Sequence, residues 1–158
     1  IKSPKETGRS FNSNSKLKVT YFSKHVNFPV ISDDSGLCIK SLNNKPGIYS
    51  ARLAREKGSF YKAMKYILKR MKKVKKRNAT FVCSLSYKKE NGKIITVEGK
   101  IEGNISNKII GTKGFGYDPI FIPLDKKITF GQMQRFKKIK IDHRFKAFEL
   151  LKKKIKTL

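Results

Sequence analysis

Two adjacent aspartates, Asp33 and Asp34, are the residues of this sequence that most clearly suggest chemistry. The chain has only 11 acidic residues against 38 basic ones, and these two follow the apolar run 29–31, with Ser32 between. Carboxylates at the end of a strand can give a hard divalent cation such as Mg²⁺ one or two oxygen ligands, while substrate phosphates complete its shell. Asp, Ser and Gly are also favoured turn residues. By itself, the segment 33–36 therefore fits either a metal-binding strand end or an ordinary turn.

A segment rich in glycine and aromatic residues, 114–121, is the second candidate. Gly114 and Gly116 permit positive φ or close backbone approach. Phe115 offers a face on which a nucleobase can stack, and Asp118 can accept hydrogen bonds from a base N–H. A tight turn with packed aromatic residues would have the same composition, so the segment alone does not decide between the two.

The third candidate is Asp142-His143-Arg144, at the predicted start of the last helix. Asp142 is a good N-cap. Backbone N–H groups and the dipole at a helix start favour anions and carbonyl acceptors. A His-Arg pair at such a position is also common on protein surfaces.

Composition restricts the class of protein. The chain has 158 residues, of which 38% are hydrophobic, which is enough for a real core. Cys38 and Cys83 lie in apolar, strand-like stretches typical of buried reduced thiols rather than a disulfide scaffold. No apolar run approaches the roughly 20 residues that span a bilayer. The sequence therefore predicts a soluble cytoplasmic protein with no membrane association.

The net charge of +27 raises the alternative of a nucleic-acid-binding domain. Lysines greatly outnumber arginines, however, and they lie on every predicted element rather than in one patch. Base readout and bidentate phosphate binding favour Arg. We therefore interpret the charge mainly as a lysine-rich surface, on which nucleic-acid binding would be incidental.

The elements that must position these candidates follow from periodicity and turn signals. The predicted helices are 10–26, 59–73 and one from Asp142 onward, and the predicted strands are 30–32, 37–41, 79–87 and 93–101, the last two joined by a hairpin at Asn91-Gly92. Helices interspersed with strands indicate an α/β or α+β domain with a mixed sheet.

In this order, the three candidate segments closely resemble the inosine triphosphate pyrophosphatase family, which hydrolyses non-standard purine nucleoside triphosphates. The resemblance implies one elongated α/β domain, 1–158, with a central mixed sheet, two lobes and a nucleotide cleft between them. It also implies a Mg²⁺ requirement and a homodimer. The stretches that carry it span almost the whole chain and are 6–8, 10–11, 32–37, 46–52, 79–83, 114–122, 129–130 and 143–147.

The resemblance also implies roles for individual residues. Glu6 and Asp34 would hold Mg²⁺, and Asp34 would also orient or deprotonate the water that attacks the α-phosphorus. Lys18 and Ser35 would contact the phosphates. Phe115 would stack on the purine. The other residues around the base and nucleotide would be Gly116, Tyr117, Asp118, Lys138, His143 and Arg144. Donors such as Arg144 would favour the O6 acceptor of hypoxanthine or xanthine over the 6-amino group of adenine.

The sequence departs from the family pattern in several places. Family members open with a strand and a phosphate-binding loop of the Thr/Ser-x-Asn-x-x-Lys type, which nothing here matches and which we expect to precede Ile1. A catalytically inactive relative therefore stays as an alternative. Local departures are Ser13 in place of an acid, Gln132 in place of Glu, Ile139 in place of Asn and Asp142 in place of Ser. Asp142 either weakens nucleotide binding or pairs with an Arg or Lys.

Overall fold

The secondary structure alternates between helices and strands along the chain. The structure is a computed structural model that describes residues 1–89 and 92–156. The helices are α1 (Phe11–Phe22), α2 (Ser50–Lys57), α3 (Phe60–Arg70), α4 (Arg135–Lys138) and α5 (His143–Lys156), and the strands are β1 (Val30–Ile39), β2 (Lys45–Pro46), β3 (Asn78–Lys88), β4 (Ile94–Ile105) and β5 (Phe121–Pro123). Short 3₁₀ turns cover 40–42, 47–49 and 118–120.

The strands form one five-stranded sheet in the order β2-β1-β3-β4-β5. Strand β1 pairs with β2, and β4 pairs with β5, both in antiparallel orientation. The predicted α/β fold with a central sheet and flanking helices is confirmed. The mixed character of the sheet stays a prediction. The predicted β3–β4 strands are present, and Asn91 of their hairpin lies outside the described residues.

The chain divides into two compact units, and β1, β3 and β4 each contribute residues to both. The first unit comprises 1–35, 82–100 and 143–158, and the second comprises 36–81 and 101–142. The first has a small core of Cys83, Leu85, Val97, Ala147 and Leu151. The second has a larger core that includes Leu37, Ile39, Met64, Ile67, Phe81, Phe121 and Phe130. The assignment of the whole chain to a single domain stays a prediction.

Helix α1 begins as its sequence predicts but ends four residues early. Ser10 and Ser13 form a reciprocal capping box, in which each backbone N–H donates to the other side chain at 3.0–3.1 Å. Ser13 is thus the N3 partner of the cap in this chain. The end predicted at Val26 is wrong, because Lys24 and His25 donate to carbonyls three residues back and tighten the last turn.

Strand β1 runs without a break through 33–36, where the sequence predicted two strands separated by a turn. That prediction is wrong. Gly36 serves close backbone approach and not a turn, since a Cβ there would overlap the carbonyl oxygen of Gly47. Successive side chains of a strand point to opposite faces. Asp33 and Asp34 therefore project to opposite faces of β1.

The remaining predictions were accurate in type. Helix α3 is the amphipathic helix predicted over 59–73, with Ser59 as its N-cap. Helix α5 starts directly after Asp142. No element was predicted from the sequence at β2, α2 or α4, the longest of which has eight residues.

Glycine in β4 allows α5 to lie directly on the sheet in the first unit. A Cβ at Gly99 would overlap the backbone N of Ala147 and the carbonyl oxygen of His143. We expect Gly99→Ala to push α5 away and lower the free energy of unfolding by about 2 kcal/mol or more, as overpacking does. Urea denaturation measures this. The control Glu102→Ala, an exposed position on the same strand, should change it by no more than about 0.5 kcal/mol, and equal losses would contradict the contact.

Candidate active site

Lys18 joins two carboxylates in the first unit. Its Nζ lies 2.8 Å from Oε1 of Glu6 and 3.2 Å from Oδ1 of Asp34. Burial lowers the pKa of Lys18, but the hydrogen bond to Glu6 and the charges of both carboxylates outweigh burial, and the net pKa is above its ordinary value. Lys18 is therefore a firmly charged ammonium group at the point where two acids converge.

Asp34 is almost completely buried, with 6% of its surface exposed. Its Oδ1 accepts from Lys18, and its Oδ2 accepts from Nδ2 of Asn14 at 3.1 Å. Burial raises the pKa of Asp34, and the partial compensation by Lys18 and Asn14 leaves it above the ordinary value. A buried carboxylate with a raised pKa is a better proton acceptor than an exposed one.

A separate cluster forms where Asp33 projects from the opposite face of β1. Nη2 of Arg144 lies 2.6 Å from Oδ2 of Asp33 and 3.2 Å from Oγ of Ser35, whose hydroxyl also donates to Asp33. Burial raises the pKa of Asp33, but the hydrogen bond and charge of Arg144 outweigh it and leave the pKa below its usual range. Neighbours in sequence thus belong to different clusters.

The second unit contains an aromatic cluster. Phe115 is 75% exposed and meets the ring of Phe60 edge to face, with centroids 5.1 Å apart. Phe60 also meets Tyr117 edge to face at 5.3 Å. The hydroxyl of Tyr117 donates to the carbonyl of Ser50 at 2.8 Å, and burial raises its pKa. Tyr117 is therefore a fixed wall, while Phe115 presents an open face.

A buried ion pair lies beside this cluster. Oδ2 of Asp118 accepts from the backbone N–H of Phe115 at 2.6 Å and lies 2.8 Å from Nζ of Lys138. Burial raises the pKa of Asp118, and Lys138 only partly offsets this. Lys138 also lies 3.8 Å from Asp142, so the predicted pairing of Asp142 with a basic residue is confirmed.

Gly116 has a backbone conformation that favours glycine. Its φ is +65°, in the region where a side chain is strained, and a Cβ would contact the ring of Phe60 at 3.5 Å. Gly114, with φ +80°, brings the chain close to Asp118. Both glycines therefore adopt the positive φ that the sequence suggested, and Gly114 also allows a close approach.

The donor set at Lys18 suits a divalent cation completed by a substrate. Mg²⁺ in phosphate-binding sites is usually held by one or two carboxylates, with phosphate and water oxygens supplying the rest. Glu6 and Asp34 supply two hard oxygen donors that already converge on one positive charge. Within residues 1–89 and 92–156, no cluster of three or more His, Cys, Asp or Glu is present. The residues fit a shared cation and not an all-protein cage.

A family comparison assigns the chain. The Ham1 family pattern matches residues 1–154. The chain belongs to the Ham1 family. Two curated relatives bear the name dITP/XTP pyrophosphatase: one from Dictyoglomus thermophilum is 44% identical over 94% of this chain and 74% of its own length, and one from Bacillus subtilis is 41% identical over 94% and 76%.

Solved structures of the family agree. The Ham1 protein of Staphylococcus aureus superposes with a TM-score of 0.91 at 36% identity, covering 99% of this chain and 81% of that one. A HAM1 protein from Coxiella burnetii gives 0.92 at 30% identity, covering 100% and 82%. In the described part of the chain, no helix is long and apolar enough to cross a membrane.

The residues expected in a Ham1-family site thus fall into three groups. Within the first unit, Glu6, Lys18 and Asp34 meet at one point, and Ser35 and Arg144 meet at Asp33, with His143 buried at the start of α5. Within the second unit, Phe115, Gly116, Tyr117, Asp118 and Lys138 belong to one loop and its partners. Their roles in catalysis and binding stay predictions.

Sequence reasoning missed Asn14 and Phe60. Asn14 lies four residues before Lys18 on α1, so the two share a helix face, and this spacing was the available signal. In the sequence, Phe60 is one apolar position of the amphipathic helix predicted over 59–73. No pattern in the neighbouring residues indicated that its ring would contact Phe115.

Removing the cation beside Asp118 tests whether the loop depends on it. The side chains of Lys138 and Asp118 are only 15% and 2% exposed, so Lys138→Met leaves a buried carboxylate uncompensated. We expect a loss of about 3 kcal/mol in the free energy of unfolding, measured by urea denaturation. Lys100→Met, which breaks the ion pair between the exposed Lys100 and the partly exposed Glu98, should cost no more than about 1 kcal/mol. Similar losses for both would show that Asp118 does not need Lys138.

Proposed function

We propose that this chain hydrolyses non-canonical purine nucleoside triphosphates, namely dITP, ITP and XTP, to the monophosphate and pyrophosphate, and so removes them from the nucleotide pool. Relatives named dITP/XTP pyrophosphatase at 41–44% identity over 94% of the chain support this substrate class. The structural observation that carries the proposal is the convergence of Glu6 and Asp34 on the charge of Lys18.

Glu6 and Asp34 are the residues that would hold Mg²⁺. When bound, such a cation neutralises phosphate charge and polarises a phosphoryl oxygen. The ammonium group of Lys18 lies between the same carboxylates and is suited to donate to phosphate oxygens. The resemblance assigns a phosphate contact to the hydroxyl of Ser35 as well, although that hydroxyl donates to Asp33 on the opposite face of β1. The ammonium group of Lys18 would stabilise the negative charge that develops on the departing pyrophosphate.

Asp34 is the candidate for the reacting water. Its buried carboxylate, with a raised pKa, would orient the water and accept its proton as the oxygen attacks the α-phosphorus. The bond between the α-phosphorus and the bridging oxygen then breaks, and pyrophosphate leaves. Asn14 and Lys18 hold the carboxylate in place during this step.

The aromatic loop of the second unit would recognise the base. The open face of Phe115 suits stacking on a purine, while Gly116, Tyr117, Asp118 and Lys138 shape the surroundings. The resemblance assigns recognition of the base and nucleotide to His143 and Arg144 as well. The pair between Arg144 and Asp33 has side chains that are 56% and 43% exposed. Exposed pairs of this kind contribute about 0–1 kcal/mol, so exchanging Asp33 for the O6 of a base costs little.

The alternative of a nucleic-acid-binding domain rests on the net charge of +27 alone. The relatives named for nucleotide hydrolysis do not favour it, and contact with nucleic acid is then incidental. We further propose a homodimer and a cytoplasmic location, as the sequence resemblance implied, both of which suit an enzyme that acts on the nucleotide pool.

The adjacent aspartates allow a matched test of the proposed chemistry. Asp34→Asn removes the proton acceptor and a charged ligand, and we expect at least a 100-fold loss of dITP turnover at saturating Mg²⁺, about the contribution of a general base. Asp33→Asn makes the same change on the opposite face of β1 and should reduce turnover less than about tenfold. Pyrophosphate release measures both, and EDTA should abolish it in the unmodified chain. Equal losses in the two variants would assign Asp34 no special part.

Arg144 offers a test of base selection. If it donates to O6, Arg144→Ala should lower the preference for ITP over ATP by about 10- to 100-fold, since a lost hydrogen bond to a charged group costs about 1.5–3 kcal/mol. The measurement is kcat/KM for both substrates. Lys146→Ala, an exposed cation on the same helix, serves as the control and should leave the ratio unchanged. Equal losses on ITP and ATP in Arg144→Ala would instead place Arg144 at the phosphates or in folding.

A further inference from the structure

Asn14 connects the two segments that carry the carboxylates converging on Lys18. It is 1% exposed, and its amide makes two hydrogen bonds in opposite directions. Nδ2 donates to Oδ2 of Asp34 at 3.1 Å, and Oδ1 accepts from the backbone N–H of Gly8 at 2.8 Å. Gly8 lies two residues after Glu6, so one side chain contacts both the strand that carries Asp34 and the segment that carries Glu6.

The bond to Asp34 fixes the orientation of its carboxylate. Lys18 binds Oδ1 and Asn14 binds Oδ2. Because Asn14 and Lys18 lie one turn apart on α1, they hold the two oxygens from the same helix face. The neutral amide of Asn14 orients the Asp34 carboxylate without adding a positive charge. A second cationic side chain in its place would compete with a metal ion for the carboxylate oxygens.

The bond to Gly8 fixes the segment before α1. A Cβ at Gly8 would overlap Ser13 Oγ and Asn14 Oδ1, so the absence of a side chain lets this backbone lie against the helix start. The capping box between Ser10 and Ser13 holds the same segment two residues later. Gly8 and Ser10 together leave little freedom for the path of the chain at Glu6.

We propose that Asn14 is a positioning residue that brings Glu6 and Asp34 together at the distance a divalent cation requires. The inference rests on the proposed function, in which these two carboxylates hold the metal. Asn14 itself would not touch the metal or the substrate. Partners that orient metal ligands typically contribute about 10- to 100-fold to metal affinity, and we expect Asn14 to contribute in this range.

A purely structural role for Asn14 predicts a different result. Loss of a buried amide leaves the Gly8 N–H without this acceptor and lowers stability, but it would leave metal affinity unchanged. The experiment must therefore measure metal binding separately from folding and from turnover.

The main experiment compares Asn14→Ala with Ser15→Ala, its neighbour on α1. Ser15 is also buried and hydrogen-bonds to Ser84 and Ser86, both at 2.8 Å, but its side chain touches neither Gly8 nor Asp34. The readouts are the Mn²⁺ dissociation constant without nucleotide, from electron paramagnetic resonance, and the melting temperature. Asn14→Ala should weaken Mn²⁺ binding about 10- to 100-fold. Ser15→Ala should lower the melting temperature and change Mn²⁺ affinity less than twofold.

A second variant keeps the test decisive if Asn14→Ala fails to fold. Gly8→Ala adds a Cβ that would overlap Asn14 Oδ1 and Ser13 Oγ, so it disturbs the contact between Asn14 and the Glu6 segment from the other side, and it should also weaken Mn²⁺ binding. Where both fold, the double variant should lose less than the product of the single losses, because both act on one contact.

Unchanged Mn²⁺ affinity in Asn14→Ala, or in Gly8→Ala if only that variant folds, would overturn the proposal, and so would an unmodified chain that binds no Mn²⁺. Failure of the proposed function looks different. Suppose that the unmodified chain binds Mn²⁺ and that Asn14→Ala weakens this binding, yet the unmodified chain releases no pyrophosphate from dITP. That result would support the positioning role and reject the activity.

Discussion

The placement of one ammonium group, that of Lys18, is the constraint on which the candidate catalytic cluster depends. Carboxylates that leave water incur a desolvation cost of several kcal/mol each unless a charge and hydrogen bonds compensate them. Lys18 supplies that charge to Glu6 and Asp34 at 2.8 and 3.2 Å. For it to do so, the capped start of α1, the segment before it and strand β1 must all be fixed in the first unit.

Acidic residues are scarce in this protein, so the ion pairs of each carboxylate depend strongly on whether it is exposed or buried. In a chain with 38 basic and 11 acidic residues, an exposed carboxylate can pair with many cations, and such pairs contribute little. A buried one depends on a particular partner. Asp34 and Asp118 are both buried, each has one lysine partner, and burial raises the pKa of each. Ion pairs on the strongly basic surface therefore contribute little to stability, whereas each of the two buried acids depends on its own lysine.

The alternation of side chains along a strand separates residues that are adjacent in sequence. Asp33 and Asp34 first suggested one paired site. On a continuous strand they project to opposite faces, so Asp34 joins Lys18 and Asn14 while Asp33 joins Arg144 and Ser35. One short segment therefore contributes to two clusters, with one acid buried and the other partly exposed.

Local patterns determined the features that depend on neighbouring residues. Periodicity was sufficient for α3 and the caps for the starts of α1 and α5, because each of these signals is carried within a short stretch. The family followed from the order of several short motifs along almost the whole chain. Tertiary structure alone decided that β1 continues through 33–36, that Asn14 meets both Gly8 and Asp34, that Phe60 meets Phe115, and that Lys138 neutralises Asp118. Most of these contacts join residues far apart in the chain, and Gly36 lets β1 lie close to the backbone of Gly47. Both therefore follow from how the elements pack and not from any local preference.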